Sequence, residues 1–183
     1  MRRTIIGIMG SSRERYEELT FPLGMWLGQH GYHLLTGGGG GVMAAVSEAF
    51  FSVPDRKGAI IGIIPAQDFD QGMSRADFRT KPGYPNEWVE IPIITHLPLS
   101  GSQGKENLSR NHINVLTSRV IIALPGGPGT LSEIELALEY RKPLLIFDPY
   151  VIMPDYLKEG AVHLTILAEV ISHLYNNYPA ISS

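Results

Sequence analysis

The sequence has no cysteine. That excludes disulfides and thiolate metal sites, and it fits a reducing compartment. It has no apolar run approaching the 18 residues that a membrane-spanning helix needs, and the short run Ile5 to Met9 falls below the core length of a signal peptide. It has no excess of positive charge. The formal net charge is -3, so no broad basic field recruits nucleic acid or an anionic membrane. The histidines, at 30, 33, 96, 112, 163 and 173, form no HExxH or other i, i+4 pair, so no dedicated metal site is expected. No GxSxG elbow occurs, and no lysine follows a glycine cluster as a P-loop requires. The first apolar run ends in "GIMGSS" rather than GxGxxG, and Thr36 and Gly37 stand where a dinucleotide site places an acidic residue. NAD and ATP in their usual modes are thereby set aside.

What is present reads as one globular domain over residues 1–183, soluble and cytoplasmic. Apolar residues make up 44% and charged residues 18% of the 183, enough for one sizeable core. Short apolar runs alternate with helical patterns. Strands are expected at Thr4 to Gly10, Tyr32 to Gly37, Gly58 to Pro65, Glu87 to Thr95, Arg119 to Pro125 and Lys142 to Phe147. Helices are expected at about Tyr16 to His30 (with a restart at Pro22), Gly41 to Phe51, Glu106 to Thr117, after Pro125, and at about 161–175. Near-continuous apolar strands between helices predict an α/β fold: a Rossmann-like, doubly wound parallel sheet with helices on both faces. Trp26 and Trp88 are read as core. The one long irregular stretch, Ala66 to Asn86, has the length of a lid.

The 20 glycines cluster. Gly10, the run Gly37 to Gly41, and Gly126, Gly127 and Gly129 all fall at carboxyl ends of expected strands, the edge where such sheets bind ligands. Two clusters lead directly into helices, whose N-termini offer unpaired N–H groups and a positive partial charge to phosphate. The competing reading is that these glycines only make tight turns. Ser11 and Ser12 can donate to a ligand or cap a turn. Thr130, Leu131, Ser132 and Glu133 have the spacing of a capping box, while Leu131, Ile134 and Leu138 form the apolar stripe of that helix. Glu133 then either caps the helix or faces the crevice. Asn107, Arg110, Asn111 and Asn114 recur at i, i+3, i+4, i+7 and share a helical face, with Leu108, Val115 and Leu116 directed to the core. That polar face is either a recognition surface, with Arg110 holding a phosphate or carboxylate in a forked pair of hydrogen bonds, or a plain solvated one.

At this point a family resemblance is visible. "PGGPGTLSE" matches the PGGxGTxxE motif of the LOG family, the lysine decarboxylase-like phosphoribohydrolases that act on cytokinin nucleoside 5′-monophosphates. Arg110 lies fifteen residues before Pro125, where that family carries the arginine of MxxRK. "TGGGGGVMAAVSEA" resembles its GGGPGxMEA segment, and "GIMGSS" its opening turn. The likeness spans about residues 3 to 148. Asn107 and Asn111 replace the methionine and lysine of MxxRK, and Ala44 stands where a glutamate is frequent. The stretch from Glu90 to Thr130 also resembles the molybdenum cofactor carrier branch of the same superfamily, which holds a phosphorylated pterin without turning it over.

The resemblance implies a hydrolase that splits a nucleoside 5′-monophosphate into free base and ribose 5-phosphate with no cofactor. The alternative it implies is a non-catalytic carrier with the molybdenum cofactor (Moco) as bound ligand. In the hydrolase, Glu133 and Arg110 are the implied catalytic pair. Gly126, Gly127, Gly129 and Thr130 are implied to cradle phosphate. Gly10, Ser11, Ser12, Gly38, Gly39, Gly40, Gly41, Met43 and Asn111 are implied to border the rest of the ligand. Specificity is expected in Ala66 to Asn86 and Pro98 to Glu106, where the likeness fails. A small phosphorylated ligand and further copies of the chain, making a homodimer or higher homo-oligomer, are the implied partners.

Overall fold

The computed structural model describes residues 2–67, 79–154 and 159–182. Seven strands form one parallel sheet. In chain order they are β2 (Ile5–Met9), β3 (His33–Thr36), β4 (Ile60–Ile64), β5 (Ile91–Ile94), β6 (Val120–Ala123), β7 (Leu144–Phe147) and β8 (Val162–Leu164). Across the sheet the order is β5-β4-β3-β2-β6-β7-β8. The chain first winds outward from β2 to β5 and then returns to β6, on the other side of β2. The direction reverses between β2 and β6, and a crevice opens at such a switch point. A separate two-stranded ribbon pairs β1 (Arg2–Arg3) with β9 (Ile181–Ser182).

The helices α1 (Glu17–Gln29), α2 (Val42–Phe51) and α5 (Leu167–Asn177) bury Leu19, Leu23, Leu27, Val42, Val46, Phe50, Val170 and Leu174 against one face of the sheet. The helices α3 (Asn111–Thr117) and α4 (Pro128–Glu139) bury Val115, Ile134 and Ala137 against the other. Central strands are apolar on both faces, as a doubly covered sheet requires; all five residues of β4 are buried. Trp26 and Trp88 are partly buried against the first core, as expected of packing residues.

Several sequence expectations need correction. Helix α1 is continuous through Pro22. Leu19, Leu23 and Leu27, one turn apart, hold it to the sheet on the buried side, while Pro22 is exposed, so its missing N–H falls toward water. The helix expected from Glu106 begins only at Asn111. Residues 106–109 instead make a turn, with Ser109 N–H bonded to Glu106 O and the Ser109 hydroxyl accepting the Asn111 N–H. Asn107 therefore leaves the shared face, and Leu108 and Leu116 are 54% and 53% exposed rather than core. The segment expected as one helix at 161–175 is β8 followed by α5. An exposed three-residue edge strand has too little apolar pattern of its own, and its pairing with β7 decides it. The strand expected at Glu87 to Thr95 is confined to β5. Most of the stretch Ala66 to Asn86 lies outside the described residues.

Candidate functional site

A cavity of about 530 Å³ opens at the carboxyl edge where β3, β2 and β6 lie side by side. The three glycine clusters follow these neighbouring strands. Met9, Gly10, Ser11 and Ser12 contribute from the end of β2, Gly37 and Met43 from β3 and α2, and Gly127, Gly129 and Thr130 from β6 and α4. Arg110, Asn111 and Glu133 complete the wall.

The start of α4 differs from the sequence expectation. Gly127 is the N-cap and Pro128 the first helical residue, a position that suits proline because its N–H is not needed there. Thr130 is thus already inside the helix, and Glu133 lies a full turn deeper than a capping box allows. The first intrahelical bond runs from Leu131 N–H to Gly127 O. The N–H groups of Gly129 and Thr130 precede it, so the helix leaves them without an intrahelical acceptor. The buried surface of α4 is Thr130, Ser132, Glu133, Ile134, Leu136 and Ala137; Leu131 and Leu138 are only partly buried against the second core.

Glu133 is buried with an unusual neighbour set. Its Oε1 accepts a hydrogen bond from Asn114 Nδ2 at 2.6 Å, and Arg110 Nη1 stands 3.9 Å away. Burial pushes the Glu133 carboxyl above the ordinary glutamate value, while Arg110 and the Asn114 hydrogen bond pull it back. Arg110 is 4% exposed, and its guanidinium lies against Gly37, where any Cβ would displace it. Its Nε and Nη1 have no hydrogen-bond partner among the described residues. Its charge is faced by Glu133, but buried donors left unfilled at a cavity wall are costly, and an anionic group entering the cavity fills them. The Thr130 hydroxyl is likewise buried without a partner. Asn111 bridges α3 and α4 through Nδ2 to the Ser132 hydroxyl at 3.0 Å.

Other residues serve the frame. The Ser11 hydroxyl accepts the N–H groups of Arg13 and Glu14, and Ser11 O accepts the Val42 N–H that opens α2. Gly38, Gly39, Gly40, Gly41 and Gly126 lie outside the cavity lining. Gly126 packs against Thr130 and Ser11, where a Cβ would meet the Thr130 hydroxyl. Asn114 stood in the polar repeat but carried no assigned role, and Arg13 lines the cavity without having been singled out. Tyr84 and the Ser100 to Ser102 turn also line it; they fall in the two stretches, Ala66 to Asn86 and Pro98 to Glu106, where specificity is expected, but no motif marks the individual residues. No group of three or more histidine, aspartate or glutamate side chains able to hold a metal occurs among the described residues, and no helix among them is long and apolar enough to cross a membrane.

A parallel Rossmann-like sheet with a glycine- and arginine-lined crevice at its switch point defines the class of fold. The chain belongs to the SLOG cluster4 family, whose model matches residues 3–175. It is similar in structure to the Moco carrier protein of Chlamydomonas reinhardtii, with a TM-score of 0.68 and 26% identity over 96% of this chain and 97% of that one. It is also similar to the molybdenum cofactor binding protein of the phototrophic bacterium Rippkaea orientalis, with a TM-score of 0.62 and 31% identity over 100% of this chain and 91% of the other. An uncharacterized protein of Archaeoglobus fulgidus is 27% identical over 155 residues, 84% of this chain and 85% of its own length.

Proposed function

We propose that this protein binds the molybdenum cofactor, a phosphorylated pterin, and carries it without chemical turnover. The observation that carries the reading is Arg110: a cation 4% exposed, with Nε and Nη1 lacking protein acceptors among the described residues, at the wall of a ligand-sized cavity. The phosphate would sit at the N-terminus of α4, on the N–H groups of Gly129 and Thr130 with the open side of Gly127 beside them. Arg110 would supply a charge-assisted hydrogen bond to the ligand. The volume of about 530 Å³ falls in the usual range for small-ligand sites. The likeness to two proteins named for this cofactor, each over nearly the whole chain, supports the same ligand class.

The phosphoribohydrolase is the second reading, and it rests on Glu133 beside Arg110 in the same wall. Stabilising an oxocarbenium-like ribose needs an ionised carboxylate. Burial works against that form more strongly than the Arg110 charge and the Asn114 hydrogen bond to Oε1 favour it. This favours carriage over catalysis. The test pairs two measurements on the purified protein. Calorimetric titration with Moco under anaerobic conditions should show binding. Incubation with AMP, other nucleoside 5′-monophosphates and an N6-prenylated AMP should release no free base. Base released by the wild type and lost in Glu133→Ala would reverse the choice.

A second copy of the chain is the proposed partner. Leu116 on α3, Leu108 just before it, and Ile91 and Ile93 on the edge strand β5 are 41–54% exposed. Ile91 and Ile93 share a sheet face with their register partners Ile61 and Ile63, both of the α3–α4 core. Sedimentation should give a dimer, and Leu116→Asp should shift it toward monomer.

A further inference from the structure

We propose that Tyr84 and Met43 form the wall that recognises the ligand's flat heterocycle, and that Asn86 is the positioning residue that sets this wall. The proposal rests on the phosphorylated-heterocycle reading above and assigns that ligand an orientation. The cavity has two unlike ends. On the β6 side it is backbone: Gly127, Gly129 and Thr130 at the start of α4. On the β3 side, beyond the Arg110 guanidinium at Gly37, it is aromatic and thioether: Tyr84 and Met43 converge over Gly39, where an added Cβ would lie 2.9 Å from the Tyr84 ring and 2.9 Å from Met43 Cε. The strands β3 and β6 flank β2, so the two ends are separated by two strand spacings, about 10 Å. That leaves room for a phosphate at one end and a ring at the other. A polar, N–H-rich end suits the anion, and an aromatic ring with a polarizable sulfur suits a flat heterocycle.

Tyr84 is held there by its own carbonyl and by the hydrogen bonds of its neighbours rather than by its own side chain. Asn86 N–H donates to Gly38 O at 2.7 Å, Asn86 Nδ2 donates to Gly39 O at 2.8 Å, and Asn86 Oδ1 accepts the Trp88 N–H at 3.1 Å. Tyr84 O accepts the Thr80 hydroxyl at 2.9 Å, and Lys81 Nζ reaches Pro98 O at 2.7 Å. One asparagine thus hooks this segment onto the glycine loop and hangs the ring over the cavity. The run of glycines after β3 then has a second use: Gly39 leaves the space that the ring and Met43 fill.

The test compares ligands with and without a ring. The wild type, Tyr84→Ala, Tyr84→Phe and Asn86→Ala are titrated calorimetrically with a pterin monophosphate, GMP and AMP, and with ribose 5-phosphate as the ring-less control. Tyr84→Ala should lose roughly ten- to a hundredfold in affinity for the ring-bearing ligands, as loss of a stacking partner does. Its affinity for ribose 5-phosphate should be unchanged, and Tyr84→Phe should bind like the wild type. Asn86→Ala should show the same ring-selective loss, and adding it to Tyr84→Ala should change little. Equal losses for all ligands would make Tyr84 a structural residue and overturn the proposal, as would no loss at all. A wild type that binds none of the four would remove the ligand class itself, and a wild type that binds ring-bearing and ring-less ligands equally would leave the ligand class standing and overturn this wall alone.

Discussion

The loops after β3 and β6 carry the same sequence signal and play opposite parts. Each is a glycine cluster at a strand's carboxyl end, and each leads into a helix. The loop Gly37 to Gly41 is closed by protein: Ser11 O takes the first N–H of α2 at 2.9 Å, and Asn86 takes the carbonyls of Gly38 and Gly39. Gly41 has φ +59, and a Cβ there would run into Ser11 O. The loop Gly126 to Gly129 is open at the corresponding point. A Cβ on Gly127 would meet nothing within 4 Å, and Arg110 faces the same cavity with protons unclaimed. Glycine in the first loop leaves room that the protein itself fills, with Ser11 O at Gly41, the Arg110 guanidinium at Gly37 and the Tyr84 ring at Gly39; Gly127 in the second leaves space that packing does not use. A glycine cluster is therefore evidence of close approach, and only the neighbours reveal whether what approaches is the protein or a ligand.

This contrast is open to test. Gly41→Ala should have the largest effect. Positive φ and a backbone clash together should cost roughly 3 kcal/mol, a fall of about 10 °C in melting temperature, read by thermal unfolding. Arg110→Met should leave the fold in place but weaken binding of a phosphorylated ligand roughly 30- to 150-fold, the worth of about 2 to 3 kcal/mol of charge-assisted hydrogen bonding. Calorimetric titration measures it, and unchanged affinity would remove Arg110 from the site. Gly127→Ala should be the mirror of Gly41→Ala. Its melting temperature should stay within about 2 °C because only a helix N-cap changes, while affinity falls about tenfold as the methyl enters ligand space. Loss of stability there would mean that both loops are merely structural.

The smallest effect is a pH dependence. Burial raises the folded pKa of Glu133 above its unfolded value, so the folded state holds its proton more tightly. Stability from this group is then fully present below the unfolded pKa, near 4.5, and is lost as pH rises through the folded value. Glu133→Gln removes that slope. Denaturant unfolding from pH 4 upward should show the wild type losing ground against Glu133→Gln as pH increases. A constant difference would mean that Arg110 and Asn114 fully offset the burial.

Much of the site was legible because its parts obey local rules. The glycines, Arg110 and Glu133 could be picked out, and their helices and strands mostly fell where periodicity put them. The misreadings have two causes, local start signals that outcompete a motif and contacts distant in sequence. The capping-box spacing at Thr130 and Glu133 was real, but Pro128 and Gly127 started the helix earlier and carried Glu133 down to Asn114. The helix around Arg110 was shortened by the bonds of Ser109 and by the pairing of Leu99 with Ser109. Tyr84 had no motif because its place comes from Asn86 gripping a loop 47 residues away.

The sequence by itself determined the parallel α/β architecture, the ligand edge and the family signature. Alternating apolar strands and amphipathic helices have few ways to bury their surfaces, and glycines mark where chains must come close. Tertiary structure alone decided which glycine loop is open, which polar atoms of Arg110 lack partners, and which aromatic ring faces the cavity. Those outcomes depend on who supplies the last hydrogen-bond acceptor or the last van der Waals contact, and that partner comes from far along the chain.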